Sequence, residues 1–313
     1  MLILSQKNPW MPLIILIILG FTWGTGYSIA RFATTNGVPP LGYSFWQTVG
    51  PALLLSLFLK LKRQTLSFSI PLYRYYFICG LTGIVIPNTT MYFAAPHVPA
   101  GILAVIVNTV PIITYPIALL SRAESFSWLR LSGVLCAVTG LMLILLPQTN
   151  LPSPDAIPWI GIVLITPLSF AICATYIARY QPPQEKGALA LSRGMLVFAC
   201  LFLFPLTLIN GDFYTLHWPL LLPDWIILLE ILLSSIGYIL FFKLIKIAGP
   251  LYYSLVDTIV ALTGLFWGRL LFHEKLNTWS GSAVLLILFA LFLVTQQQQF
   301  MLKFARFAEH SYK

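Results

Sequence analysis

The chain carries ten apolar runs of about 20 residues, each long enough to cross a bilayer as an α-helix. They lie near 10–30, 41–59, 73–94, 99–120, 128–147, 157–178, 188–209, 225–247, 250–271 and 277–295. The longest stretch between them, Asn210 to Asp224, has 15 residues. No folded nucleotide-binding domain fits in such a gap, and no G-x-x-x-x-G-K-[ST] run is present. ATP-driven transport and a bound cofactor are therefore not expected. A transmembrane strand alternates apolar and polar residues. Runs such as Leu13–Leu19 and Leu201–Ile209 are almost continuously apolar. The expected fold class is an all-α polytopic membrane protein with ten transmembrane helices.

Composition agrees. Only 9% of the 313 residues are charged and 58% are hydrophobic, whereas a soluble domain is about 25% charged. The net charge of +9 has the sign that nucleic acid attracts, but its distribution argues otherwise. With a cytoplasmic N-terminus, one side holds Lys7, Lys60, Lys62, Arg63, Arg74, Arg122, Arg130, Arg179, Lys186, Lys243, Lys246, Lys303, Arg306 and Lys313. The other side holds Arg31, Arg269 and Lys275, and Arg193 lies near a helix end. Basic residues concentrate in cytoplasmic loops of membrane proteins. The charge thus sets orientation, with both termini cytoplasmic in a bacterial-type inner membrane, and no nucleic-acid partner is expected. Cys79, Cys136, Cys173 and Cys200 fall inside spans without a C-x-x-C pair and read as small packing residues. No cleavable signal peptide is recognised at the start, where the apolar stretch is long and lacks an A-x-A-like site.

Pro147, Pro152, Pro154 and Pro158 divide the spans into five and five. Five is odd, so two such repeats must face opposite ways. The expected units are 1–150 and 151–313. At an offset of 150, Glu124 matches Glu274 and Ser132 matches Ser282; at 148, Ile29-Ala30-Arg31 matches Ile177-Ala178-Arg179.

A family resemblance is carried by motifs in order along the chain. They are Trp23-Gly24-Thr25-Gly26-Tyr27 with Arg31, Pro39-Pro40, Pro99-Ala100-Gly101, the Glu124…Gly133 and Glu274…Ala283 turns, and Leu262-Thr263-Gly264-Leu265-Phe266-Trp267-Gly268. The chain resembles the drug/metabolite transporter superfamily, in its EamA-like type with two five-helix repeats. The resemblance implies secondary transport, commonly export, of small metabolites or drugs. It also implies an Arg in the second helix of each repeat. Arg193 fills that position in the second half, and neutral Gln47 stands there in the first. A charge role does not carry over to Gln47. Ala283 stands where Gly is usual.

Asp257 is the sharpest single signal. It sits 7 residues into the ninth run, roughly 10 Å deep at about 1.5 Å per residue. A carboxylate at that depth is costly unless paired, protonated or wet. Proton coupling and recognition of a solute's positive charge are the functional readings, against a structural counter-ion. Arg193, Lys243 and Lys246 are its candidate partners. Glu230, Ser234 and Tyr238 share one face of the eighth run by their i, i+4, i+8 spacing. That face borders an aqueous cavity, or Glu230 is interfacial and reaches headgroups. Gly101, Ala104, Asn108, Pro111 and Tyr115 share a face of the fourth run, and Ser254, Thr258, Ala261 and Leu265 one of the ninth. These faces line a cavity or pack helices closely.

Pro111, Pro116 and Pro87 are expected to interrupt their helices, as at transporter binding sites. Trp23 and Tyr27 are neighbours in the first helix, suited to a flat or cationic solute or to core packing. Gly20 and Gly24 form a G-x-x-x-G pair there. Trp10, Trp128, Trp159, Trp225 and Trp279 sit at span ends as an interfacial belt. His273-Glu274-Lys275-Leu276-Asn277 lacks the second His of a zinc-protease motif. The expected activity is solute export by alternating access, with a small-molecule solute, the lipid bilayer and coupled protons as partners. Its rivals are an intramembrane enzyme acting on lipid or peptide and a lipid-moving or channel-like protein.

Overall fold

A computed structural model describes residues 10–63, 69–94, 109–145, 157–180, 182 and 187–271, with isolated positions at 282, 285, 286, 289 and 293. The described chain is helical: α1 (Met11–Thr35), α2 (Pro40–Leu61), α3 (Ile70–Gly80), α4 (Ile86–Ala94), α5 (Val110–Leu120), α6 (Trp128–Leu145), α7 (Ile157–Val163), α8 (Ile165–Tyr180), α9 (Ala188–Ile209), α10 (Leu222–Ala248), α11 (Pro250–Ser254) and α12 (Val256–Leu271). Among the described residues, six stretches are long and apolar enough to cross a membrane: Met11–Thr35, Pro40–Leu61, Ile70–Met91, Ile157–Tyr180, Ala188–Ile209 and Leu222–Ala248. Val110–Leu120 and Trp128–Gly140 are shorter apolar helices. Most of the fourth run and nearly all of the tenth lie outside the described residues.

Proline fixes where many helices begin. α1, α2, α3, α5, α10 and α11 carry it at the first or second position, where its missing N–H costs nothing. Pro111 lies in the first turn of α5 and Pro116 inside it, while the fourth run before residue 109 lies outside the described residues. Pro87 acts as expected. Just before it, Leu81–Val85 form a π-helical turn between α3 and α4. Pro87 has no N–H to offer the preceding carbonyls. The Ser169 hydroxyl of α8 takes up one of them, donating to the Thr82 carbonyl at 2.7 Å.

The helices bury one side in a core that includes Leu16, Leu55, Leu72, Tyr75, Ile177, Leu191 and Phe242. On α2, Leu53, Leu57 and Leu61 form an exposed stripe at helical spacing. Such outward apolar rows suit hydrocarbon, not water. Trp10, Trp128 and Trp225 are exposed at helix ends, as a belt requires, and Trp159 is half-buried. Cys79 and Cys173 are buried, Cys136 and Cys200 half-buried, and all four are free.

The helices before residue 146 pack on those after 156 in a regular way. α1 lies against α10 and α12, while α8 lies against α3–α4 and α5. α2 lies against α9 and α10, while α9 lies against α2 and α3. Two ends can be told apart. At the basic end, Arg193 Nε donates to Ser56 Oγ at 3.1 Å, near Lys60, Lys62 and Arg63 on the same helix end. Glu124 there meets Gly249 and pairs with Arg130. At the opposite end, the 212–221 loop folds over the start of α2, where Trp46 Nε1 donates to the Tyr214 carbonyl at 2.8 Å.

Candidate functional site

The Trp23–Gly26 segment of α1 is a seam to the second half, each residue meeting a different partner. Trp23 lies with its indole over Gly237, whose added Cβ would sit 2.5 Å from Nε1. Its ring also meets Tyr238, Phe241 and Tyr253 at centroid distances of 6.2, 5.9 and 6.2 Å. Gly20 and Gly24 let α1 close onto Ile259 and Thr263 of α12, the close approach expected of a G-x-x-x-G pair. Thr25 accepts from Trp267 Nε1 at 2.9 Å. Gly26 faces the Glu230 carboxyl: a Cβ there would lie 3.0 Å from Oε1 and 3.1 Å from Oε2.

Glu230 is only 2% exposed. This overturns the headgroup-reaching alternative, because the residue faces α1 and α2. Ser234 Oγ donates to Oε1 at 2.6 Å, the contact its i, i+4 spacing predicts. Gln47 Nε2 donates to the same oxygen at 2.9 Å. Gln47 thus has a definite role without charge: it binds the carboxyl across the two halves. The Tyr43 hydroxyl lies alongside and donates to the Gly26 carbonyl at 3.3 Å. No hydrogen bond reaches Oε2 among the described residues. Tyr238, a turn further along, is half-buried against Trp23.

Asp257 occupies different surroundings. The ninth run is not one helix; it breaks at Leu255, and Asp257 falls in the first turn of α12. Unpaired N–H groups at a helix start favour an acidic residue by about 0.3–1 kcal/mol, well short of the cost of burying a carboxylate. The side chain is half-buried, and no hydrogen bond or ion pair to it is found among the described residues. The three cations expected as partners are elsewhere: Arg193 bonds to Ser56, and Lys243 and Lys246 are exposed. Thr258 and Ser254 beside it are buried, and Ser254 Oγ turns back to the Leu251 carbonyl at 2.7 Å.

Of the remaining candidates, Tyr115 serves the basic-end turn. Its hydroxyl accepts from Ser127 N at 2.9 Å and donates to Ser127 O at 3.1 Å, and its ring packs with Val134 and Leu251. The structure so places it in a helix connection. Asn108 and the side chain of Tyr27 lie outside the described residues. Tyr43, Phe241 and Tyr253 are members of the seam that the sequence did not single out, and Trp267 was marked only as part of the Leu262–Gly268 motif. For Tyr43 a signal existed, since Tyr43 and Gln47 share an α2 face at i, i+4.

Both ends of this region are closed by polar contacts outside the spans. At the basic end, Glu124 abuts Gly249, whose φ of +85° suits glycine. Burial pushes the Glu124 carboxyl above its ordinary range, and Arg130 partly offsets that shift. At the other end, Tyr214 donates to Asp224 Oδ1 at 2.8 Å, and Leu221 N donates to Oδ2 at 2.8 Å. Burial, the bond to Asp224 and its charge together push the Tyr214 phenol up to about 12.

Membrane-length apolar helices with outward apolar rows and carboxylates held between them define an integral membrane protein. Residues 10–146 match the EamA-like transporter family. That stretch is thus similar to the EamA-like family, as the motifs in it led us to expect, and the family is one of membrane transporters. Protein PagO of Salmonella typhimurium is 25% identical over 152 residues, 49% of this chain. The chain spans about half the length of that curated relative. A solved crystal structure is similar with a TM-score of 0.73 at 15% identity, covering 91% of this chain and 98% of the other. That likeness concerns the fold alone.

Proposed function

We propose that this protein is a secondary transporter that exports a small organic solute by alternating access. It would cross a bacterial-type inner membrane ten times as two inverted five-helix repeats, 1–150 and 151–313, with both termini cytoplasmic. The helix contacts support the repeats. Exchanging the first, second, third and fourth spans for the sixth to ninth turns α1 against α10 and α12 into α8 against α3–α4 and α5. The same exchange turns α2 against α10 into α9 against α3. The basic end would face the cytoplasm. The solute would pass between the halves, and the seam helices would separate alternately at either end.

The observation that carries this reading is Asp257. It is a half-buried carboxylate at a break in a membrane helix, without a counter-charge among the described residues. Interrupted helices at this depth are where transporter sites form, and Asp257 would meet the solute's positive charge. A lost charge-assisted contact of about 1.5–3 kcal/mol weakens apparent affinity about 10- to 100-fold. Asp257→Asn is expected to weaken solute uptake by that factor in liposomes bearing purified protein. Unchanged uptake in Asp257→Asn ends the assignment of Asp257. Failure of the unaltered protein to move any solute, under any gradient, ends the transport reading.

A further inference from the structure

We propose that Glu230 is the proton-carrying carboxyl of this transporter: it holds a proton in the arrangement described and exchanges it when α10 parts from α1 and α2. The inference rests on the transport reading and adds a coupling ion and its site. Three features carry it. Glu230 is sealed, at 2% exposure. The polar groups around it, Gln47 at 2.9 Å, Ser234 at 2.6 Å and the Tyr43 hydroxyl, are all neutral; Gln47 and Ser234 share Oε1, and no hydrogen bond of standard geometry reaches Oε2 among the described residues. Finally, no cation is in place among the described residues, which do not include the side chain of Arg31 on α1. The groups facing it are Gly26 on α1, Tyr43 and Gln47 on α2 and Ser234 on its own helix, none of them basic. Among the described residues the ion pairs are Arg130–Glu124 and His217–Asp224, both in the end turns and neither including Glu230.

Size then selects the ligand. An added methyl carbon on Gly26 would already lie 3.0 and 3.1 Å from the two carboxyl oxygens. The wall of α1 therefore leaves no space for an amine or a hydrated metal ion against this face. A proton needs none. A sealed carboxyl without a countercharge disfavours its ionised form. Exposing it to water favours release, so proton occupancy and separation of the seam are linked. A proton biases two arrangements only by binding one better than the other. Here the closed seam binds it better, because the site is built from both halves: Gly26 and Gln47 from one, Glu230 from the other.

The test is infrared spectroscopy of the purified full-length protein in lipid vesicles, titrated with pH and without added solute. The expected result is a protonated-carboxyl C=O band that fades as pH rises, disappears in Glu230→Gln and persists in Asp257→Asn. A spectrum in which Glu230→Gln removes no such band overturns the proposal. Gln47→Leu gives an independent check, because it leaves the carboxyl in place and removes one donor to Oε1. The band is expected to shift in that variant, and an unmoved band overturns the proposal. Solute uptake in Glu230→Gln that stays intact and still responds to a proton gradient would sink the proton assignment alone. Intact titration without uptake would sink the transport reading.

Discussion

Glu230 and Asp257 are the same chemistry in opposite settings. Glu230 lies in mid-helix, bonded to Gln47 and Ser234 and walled by Gly26. Asp257 lies at a helix break, half-buried and unbonded among the described residues. The difference teaches that depth along a helix is not burial. Which face a residue occupies, and what the neighbouring helix presents there, decide whether a carboxyl is sealed and bonded or left half-buried and unbonded. The contrast is broken most directly by labelling. With the four native cysteines replaced by Ser, Asp257→Cys is expected to react with a small water-soluble maleimide faster than Glu230→Cys. If reaching residue 230 needs a local opening of about 1.4 kcal/mol or more, its labelling is at least about tenfold slower. Equal rates would erase the distinction.

Packing at the seam sharpens the same comparison. A Cβ at Gly237 would fall 2.5 Å from the Trp23 indole nitrogen. Overpacking of this kind costs about 1–3 kcal/mol. Gly237→Ala is expected to lower the melting temperature of the purified protein clearly. Gly26→Ala, whose Cβ meets the flexible end of Glu230 at 3.0 Å, is expected to lower it less. It should also speed labelling of Glu230→Cys and leave Asp257→Cys unchanged. If Gly26→Ala alters both labelling rates alike, the two carboxyls share one cavity and the contrast falls.

The sequence made the helices legible, since length and hydropathy set them locally. The 188–209 run became α9 over the same residues. It also made the Glu230–Ser234 pair legible, because i, i+4 spacing is a local property. Asp257 was legible as an outlier, while the break at Leu255 was not. Proline marks no interruption there, and Leu255 is buried among apolar neighbours. Gln47 was picked out as a departure from a family pattern, but its partner lies 183 residues away. No periodicity reports a contact of that range. The Trp23–Gly26 motif was visible, and its meaning as a seam needed the second half folded against it.

The smallest predicted effect concerns what seals Glu230 at the end away from the basic residues. Tyr43, Tyr214 and Ile227 share one apolar cluster, with Trp46 and Ile231 packed on it. Tyr214 thus holds the 212–221 loop over the helix turn that precedes Glu230. Tyr214→Phe keeps the ring and removes the bond to Asp224 at 2.8 Å, a loss of about 1 kcal/mol. Its sign with pH follows from the phenol, whose ordinary value of 10.0 is pushed up to about 12 by burial and Asp224. The folded protein binds that proton more tightly than the unfolded chain, so the contribution is complete below pH 10. It is lost as pH climbs from about 10 to about 12. Melting temperature measured across that window should fall more steeply in the unaltered protein than in Tyr214→Phe; parallel curves would contradict this. At neutral pH the loosened loop should modestly speed labelling of Glu230→Cys. Asp257→Cys, reached by another route, should keep its rate, and a rise in both would mean that one opening serves the two sites.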